Sequence, residues 1–209
     1  GLAPDVRVLS VSGADLPAGG HRLSYDQPLV LTAPRPLSFG QDVRLAPQTV
    51  IADSFDQFGS EGPLSWLVKK DATLYQMQTM PGQERNGVPW TPYLGSQIDG
   101  RIIVSETQAV PVTGATIVLR YTAAKPGAVS LVLKAKPSDQ SKDGIGLTAT
   151  AQGRAVDLQP AGPSGLYQAG PLNLKQGDTV EIGLDAGADD QDDLTQLRLT
   201  LYSASGQPG

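Results

Sequence analysis

The chain has 209 residues, 39% of them hydrophobic and only 18% charged, with 24 glycines, 17 prolines and no cysteine. That length suits one large β domain or a domain with an extra segment, and the absence of cysteine excludes a disulfide framework, a thiol nucleophile and thiolate metal sites. A net charge of −5 and a pI near 4.8 argue against nucleic acid and against an anionic membrane surface. No stretch approaches the roughly 20 apolar residues of a membrane span, so no membrane insertion is expected.

The first 50 residues carry six prolines and the cluster "APRPLSFG", with strands predicted at Val6 to Val11 and Pro28 to Ala33. A boundary is expected near residue 50. It would divide a β-rich segment over 1–50, packing on or linking to the rest, from a single sandwich over 51–209. The start at Gly1 rather than Met predicts a chain cut from a longer one.

Further strands are predicted at Leu64 to Lys70, Ala72 to Gln78 and Gly100 to Ser105. From Ala115 the pattern becomes strict. Ile117, Leu119 and Tyr121 share one face of "ATIVLRYTA", and Val129, Leu131 and Leu133 share one face of "AVSLVLKAK". Val180, Ile182 and Leu184 alternate with Thr179, Glu181 and Gly183. Leu197, Leu199 and Leu201 alternate with Arg198, Thr200 and Tyr202. Such alternation gives strands with one buried and one wet face, as in antiparallel sheets. Turn signals fall between them at Lys125 to Gly127, at Gln152 and Gly153, and at Gln176 to Asp178. No 3.6-residue period of helical length and no internal repeat is present. The fold class is therefore all-β, an antiparallel β-sandwich or jelly roll with an extra N-terminal β segment.

Six of the eleven aromatic residues lie between residues 53 and 93: Phe55, Phe58, Trp66, Tyr75, Trp90 and Tyr93. Trp66 falls in a strand pattern and is expected in the core. Trp90 and Tyr93 lie beside prolines in the loop-like stretch "PGQERNGVPWTPYLG", together with Glu84, Arg85 and Asn86. A ring can stack on the apolar face of a pyranose while planar polar groups bind its hydroxyls. These five residues are the candidate carbohydrate-binding set, with simple loop packing as the competing explanation for the two rings.

Catalytic signatures are missing. There is no GxSxG elbow, no HExxH and no P-loop, and the only histidine, His21, sits at a turn. A glycosidase needs two carboxylates across a cleft, and only four glutamates exist: Glu61, Glu84, Glu106 and Glu181. No catalytic residue is assigned.

One acidic loop stands out. "DAGADDQDD" places Asp185, Asp189, Asp190, Asp192 and Asp193 within nine residues between two strands. It does not fit the EF-hand template: its glycine is third, and the twelfth position is Gln196. Two readings stay open. The local pattern favours a hydrated turn whose aspartates bind nearby N–H groups. The alternative is a structural calcium ion that relieves the repulsion of five carboxylates.

In order along the chain stand "DSFDQFGSEGPLSWLVKKDATLYQM", "VPW", "IDGRIIVS", "KDGIGLTATAQGR" and "LKQGDTVEIGLDAGADDQDDLTQLRLTLYS". This series resembles the galactose-binding-like, carbohydrate-binding-module type of jelly roll found on secreted polysaccharide-active proteins, over roughly Asp53 to Ser203. In that family a strand begins with an Asp-Gly pair, here Asp143 and Gly144. A late strand opens with Gly-Asp, here Gly177 and Asp178. The resemblance implies glycan binding, often a structural calcium, and in many members only a bracing role beside a catalytic domain. The expectation is a non-catalytic accessory module of a secreted or cell-envelope polysaccharide-processing protein, with a polysaccharide or a neighbouring catalytic domain as partner. The alternatives are a structural sandwich such as an adhesin or assembly domain, and a small glycosidase or lyase.

Overall fold

The computed structural model describes residues 6–11, 21–22, 43–59, 61–80, 84–85, 88–89, 93–161 and 165–204. Its strands are β1 (Val6–Val11), β2 (His21–Arg22), β3 (Val43–Asp53), β4 (Leu64–Lys70), β5 (Thr73–Gln76), β6 (Gln78–Met80), β7 (Glu84–Arg85), β8 (Val88–Pro89), β9 (Tyr93–Gly95), β10 (Ile103–Val104) and β11 (Gln108–Val110). There follow β12 (Thr116–Thr122), β13 (Gly127–Pro137), β14 (Gly146–Ala151), β15 (Arg154–Ala155), β16 (Gln159–Pro160), β17 (Leu166–Leu174), β18 (Thr179–Asp185) and β19 (Thr195–Ala204). No helix occurs among the described residues, so none is long and apolar enough to cross a membrane. The strand predicted at Pro28 to Ala33 lies outside the described residues.

Two sheets carry the fold. One runs β15-β14-β18-β12-β4-β5. The other, of eleven strands, runs β16-β17-β13-β19-β11-β10-β9-β6, with β3 also on β19 and β1 on β3. Among the described strands every pairing is antiparallel, which settles the all-β antiparallel architecture. The period-2 faces meet in one core. Trp66, Val68, Ile117, Leu119, Tyr121, Val180, Ile182 and Leu184 come from the first sheet; Leu131, Leu133, Leu197, Leu199 and Leu201 come from the second. Cross-strand register matches like with like: Leu133 stands opposite Leu199 and Leu131 opposite Leu201. Trp66 is 5% exposed and meets the Phe58 ring edge-on, the centroids 6.3 Å apart.

The outer faces are polar in part only. Arg120 and Glu181 are register partners on β12 and β18, and the Arg120 Nε–H donates to Glu181 Oε1 at 2.8 Å. On β19 the outward residues Gln196 and Arg198 are exposed, yet Thr200 and Tyr202 are buried at 7% and 0%. Alternation predicted a wet face along the whole strand. The Asp53 carboxylate at the end of β3 is one cause of the difference, since it folds over Thr200 and accepts its hydroxyl at 2.7 Å.

Turn chemistry sets the register where it was read. Gln152 and Gly153 both have positive φ, +53° and +73°, and join β14 to β15 with Ala151 opposite Arg154. That is the two-residue, type I′ kind of hairpin, which wants left-handed backbone at both positions. Residue 50, where a boundary was expected, lies within β3. The stretch from Gln48 to Asp53 pairs with β19 as part of the larger sheet.

Candidate functional site

The acidic loop between β18 and β19 closes on itself. Asp185 Oδ1 accepts the Gly187 N–H at 3.1 Å, and Asp189 Oδ1 accepts the Gln191 N–H at 2.8 Å. Asp143, from the loop before β14, accepts the N–H groups of Ala188 and Asp189 on one oxygen at 2.7 and 2.9 Å. The Asp189 N–H above all, helped by that of Ala188, holds the Asp143 carboxyl below its ordinary value. Asp190 Oδ2 accepts from Arg101 Nη1 at 3.0 Å and from the Thr113 N–H and hydroxyl. Asp192 is exposed and takes a left-handed φ of +65°. These are Asx-type staples and loop ties, the pattern expected of a hydrated turn. Among the described residues no group of three or more histidine or acidic side chains converges to hold a metal ion.

Asp193 differs from its neighbours. It is 2% exposed; its Oδ1 accepts the Ser141 hydroxyl at 2.5 Å, while Oδ2 is buried without a hydrogen-bond partner. Burial pushes its carboxyl above the ordinary value, and the charges of Asp143, Asp189 and Asp190 push the same way against the Ser141 bond. A raised folded-state value favours the native fold below the unfolded value, about pH 3.9, and that advantage is lost as pH rises through the folded one. At pH 7 the ionised side chain is therefore a cost. Asp193→Asn is expected to raise the thermal midpoint in chelator at pH 7, with the gain vanishing below about pH 4. An unchanged or lower midpoint at pH 7 would show that the buried charge is compensated.

The predicted carbohydrate set is only partly described. Glu84 and Arg85 form β7, paired with Pro89 and Val88 of β8. Asn86 and Trp90 lie outside the described residues. Tyr93 opens β9, half-buried and opposite Met80 of β6.

A different site emerges from the topology. Along one side of β19 two strands approach from opposite ends. β11 pairs with Thr195 and Gln196, and β3 pairs from Thr200 onward. In between, Leu197 donates its N–H to the Thr107 carbonyl, and the Leu199 N–H donates to Ser54 Oγ. Both partner strands turn away there, and a cleft of about 340 Å³ opens, lined by Phe55, Glu106, Thr107, Gln108, Lys134, Gln196, Leu197 and Arg198. Phe55 comes from the turn after β3, Glu106 and Thr107 from the turn before β11, and Lys134 from β13, directly opposite Arg198. The Arg198 guanidinium sits 5.1 Å from the Phe55 ring centroid, and Phe55 as a residue is 37% exposed. Asp53 fixes Arg198 from behind, accepting its Nε–H at 3.1 Å and its Nη2–H at 3.1 Å.

The cleft offers one aromatic ring, two amides, a guanidinium, an ammonium and one carboxylate. Those are the groups that bind a hydroxylated ligand. Glu106 is the one carboxylate among the described lining residues. Sequence reading missed this site because its parts lie in four separate stretches of chain.

No protein-family model matches the sequence, and no curated protein matches it. Among solved structures the chain is similar to a family 35 carbohydrate-binding module from Clostridium thermocellum, with 15% identity and a TM-score of 0.34, covering 76% of this chain and 100% of that one. It is also similar to a protein from work on glycan recognition by the Ruminococcus flavefaciens cellulosome, with 18% identity, a TM-score of 0.27, and coverage of 76% and 95%. A third is an exo-β-1,3-galactanase from Phanerochaete chrysosporium with galactose, at 14% identity and a TM-score of 0.31. That match covers 77% of this chain and 30% of that one. Likenesses this distant carry no function across; the reading rests on the cleft, an aromatic and amide-lined trough built where two strands abandon the edge of β19.

Proposed function

We propose that this chain is a non-catalytic carbohydrate-binding module and that a saccharide lies in the Phe55–Lys134 cleft. The observation that carries the reading is the convergence of one exposed ring, Phe55, with the amides of Gln108 and Gln196 and the charged ends of Glu106, Lys134 and Arg198. A ring gives a sugar's C–H face an apolar platform, and planar amides match paired hydroxyls. We propose in addition that it serves an accessory role beside a catalytic domain and that it is secreted. For the acidic loop we propose the hydrated turn as its resting arrangement. A calcium ion would have to recruit the partnerless Asp193 Oδ2 and draw carboxylates off their N–H groups.

Affinity electrophoresis through gels containing neutral and acidic polysaccharides tests the reading. The wild type is expected to be retarded by at least one of them. Phe55→Ala is expected to weaken that binding about fivefold, the loss of one stacking ring, with little change in thermal midpoint. Mobility of the wild type that no polysaccharide changes would leave the structural sandwich as the better account.

A further inference from the structure

The cleft is electrically divided. The strand order β13-β19-β11 sets Lys134 on one side of Arg198, and the turn leading into β11, with Glu106, on the other. Neighbouring strands lie about 4.8 Å apart, so these two side chains are rooted roughly 10 Å from each other. Arg198 is committed to Asp53 at 3.1 Å, and Lys136, the next outward residue of β13, is tied to Asp139 at 3.0 Å. Lys134 has no ion-pair partner among the described residues. Its register partner Arg198 already has the Asp53 carboxylate as counter-charge, so Lys134 is the cation of this pair without one.

We propose that the Lys134 end of the cleft receives an anionic substituent of the saccharide, a sugar carboxylate or a sulfate ester, while Glu106 and the amides take hydroxyls. This rests on the glycan-binding reading of the same cleft. The Lys134 ammonium supplies a charge-assisted hydrogen bond, and Arg198, which Asp53 both holds and largely neutralises, borders it. A neutral sugar would leave the ammonium without a counter-charge. The cleft thus discriminates by charge at one end, in a protein whose net charge is −5.

The test uses three forms of one backbone: polygalacturonate, its carboxyl-reduced neutral galactan, and that same galactan after chemical sulfation. Isothermal titration at low salt is expected to give a charged form about three- to tenfold tighter than the neutral one. The preference should shrink in 1 M salt. Whether the uronate or the sulfated form binds names the anion. Lys134→Gln is expected to abolish the charged-to-neutral ratio, whereas Lys125→Gln, a lysine in the turn before β13, should keep it. Equal binding of neutral and charged forms by the wild type overturns the proposal and leaves the glycan reading standing. So does a ratio that survives Lys134→Gln. Failure to bind all three forms overturns the anion proposal, while the polysaccharide gels decide the glycan reading.

Discussion

Leu199→Ala is expected to destabilise the sandwich by about 4 kcal/mol, in the upper part of the range for a buried leucine. Leu199 is 0% exposed and stands opposite Leu133, also 0% exposed. Leu197 and Leu201 flank it on the same face of β19 and are buried at 3% and 0%. The size of the cost depends on whether the cavity can collapse. Collapse here would move β19, which is hydrogen-bonded to β13 on one side and to β3 and β11 on the other. Three strands resist, so most of the cavity should stay open. Urea unfolding followed by intrinsic fluorescence should show a lower midpoint with an unchanged slope. Gln196→Ala, on the exposed face of the same strand, should stay within about 0.5 kcal/mol. A loss below about 1.5 kcal/mol for Leu199→Ala would mean that the two sheets are not packed on this leucine row.

That row was legible because each long strand has one face in the core. Alternation over Thr116–Thr122, Gly127–Pro137, Thr179–Asp185 and Thr195–Ala204 is the direct imprint of burial on a period of two. Legibility falls where that imprint is short or interrupted. The strand expected from Gly100 to Ser105 is only Ile103–Val104, because Asp99 turns the chain just before it. Its side chain accepts the Arg101 N–H, and its carbonyl accepts the Ile102 N–H. The strand expected from Ala72 to Gln78 divides at Met77. β5 pairs with β4 in the smaller sheet, while β6 pairs with β9 in the larger. Met77 is the crossing point, 4% exposed, with its N–H on the Trp66 carbonyl. No local pattern announces a change of sheet.

Sites were less legible than strands for a related reason. The acidic loop was visible as a run of charge, and its Asx-type bonds are local. Its outside ties are not: Asp143 lies 45 residues from Ala188, and Arg101 lies 89 from Asp190. The cleft exists because β3 and β11 share one edge of β19, a fact of topology rather than of composition. Phe55 and Arg198 are 143 residues apart and become a stacked pair only through that edge.

The residue that makes the edge work is Asp53, and Asp53→Ala is expected to cost about 3 kcal/mol. Asp53 is 3% exposed. Its carboxylate accepts from Thr200 Oγ1 at 2.7 Å, from Arg198 Nε and Nη2, and from the Phe55 N–H at 2.9 Å. Removing it strands four donor groups of three residues at once. Breaking a fully buried pair costs about 3–5 kcal/mol; the low end applies because the Arg198 side chain is 48% exposed and can rehydrate. Burial alone would push the Asp53 carboxyl up, but the hydrogen bonds from Thr200, Arg198 and Phe55, with the charge of Arg198, hold it below its ordinary value. A depressed folded-state value means stability that is present above the unfolded value, about pH 3.9, and lost as pH falls through the folded one. The gap between wild type and Asp53→Ala should therefore be full at pH 7 and narrow below pH 4. Asp53→Asn keeps one acceptor oxygen and should fall between the two. Both variants should also weaken saccharide binding, because Asp53 sets the Phe55 turn and the Arg198 guanidinium that face the cleft. A stability gap that stays constant from pH 7 to pH 3 would show that shape, and not the charge of Asp53, fastens β3 to β19.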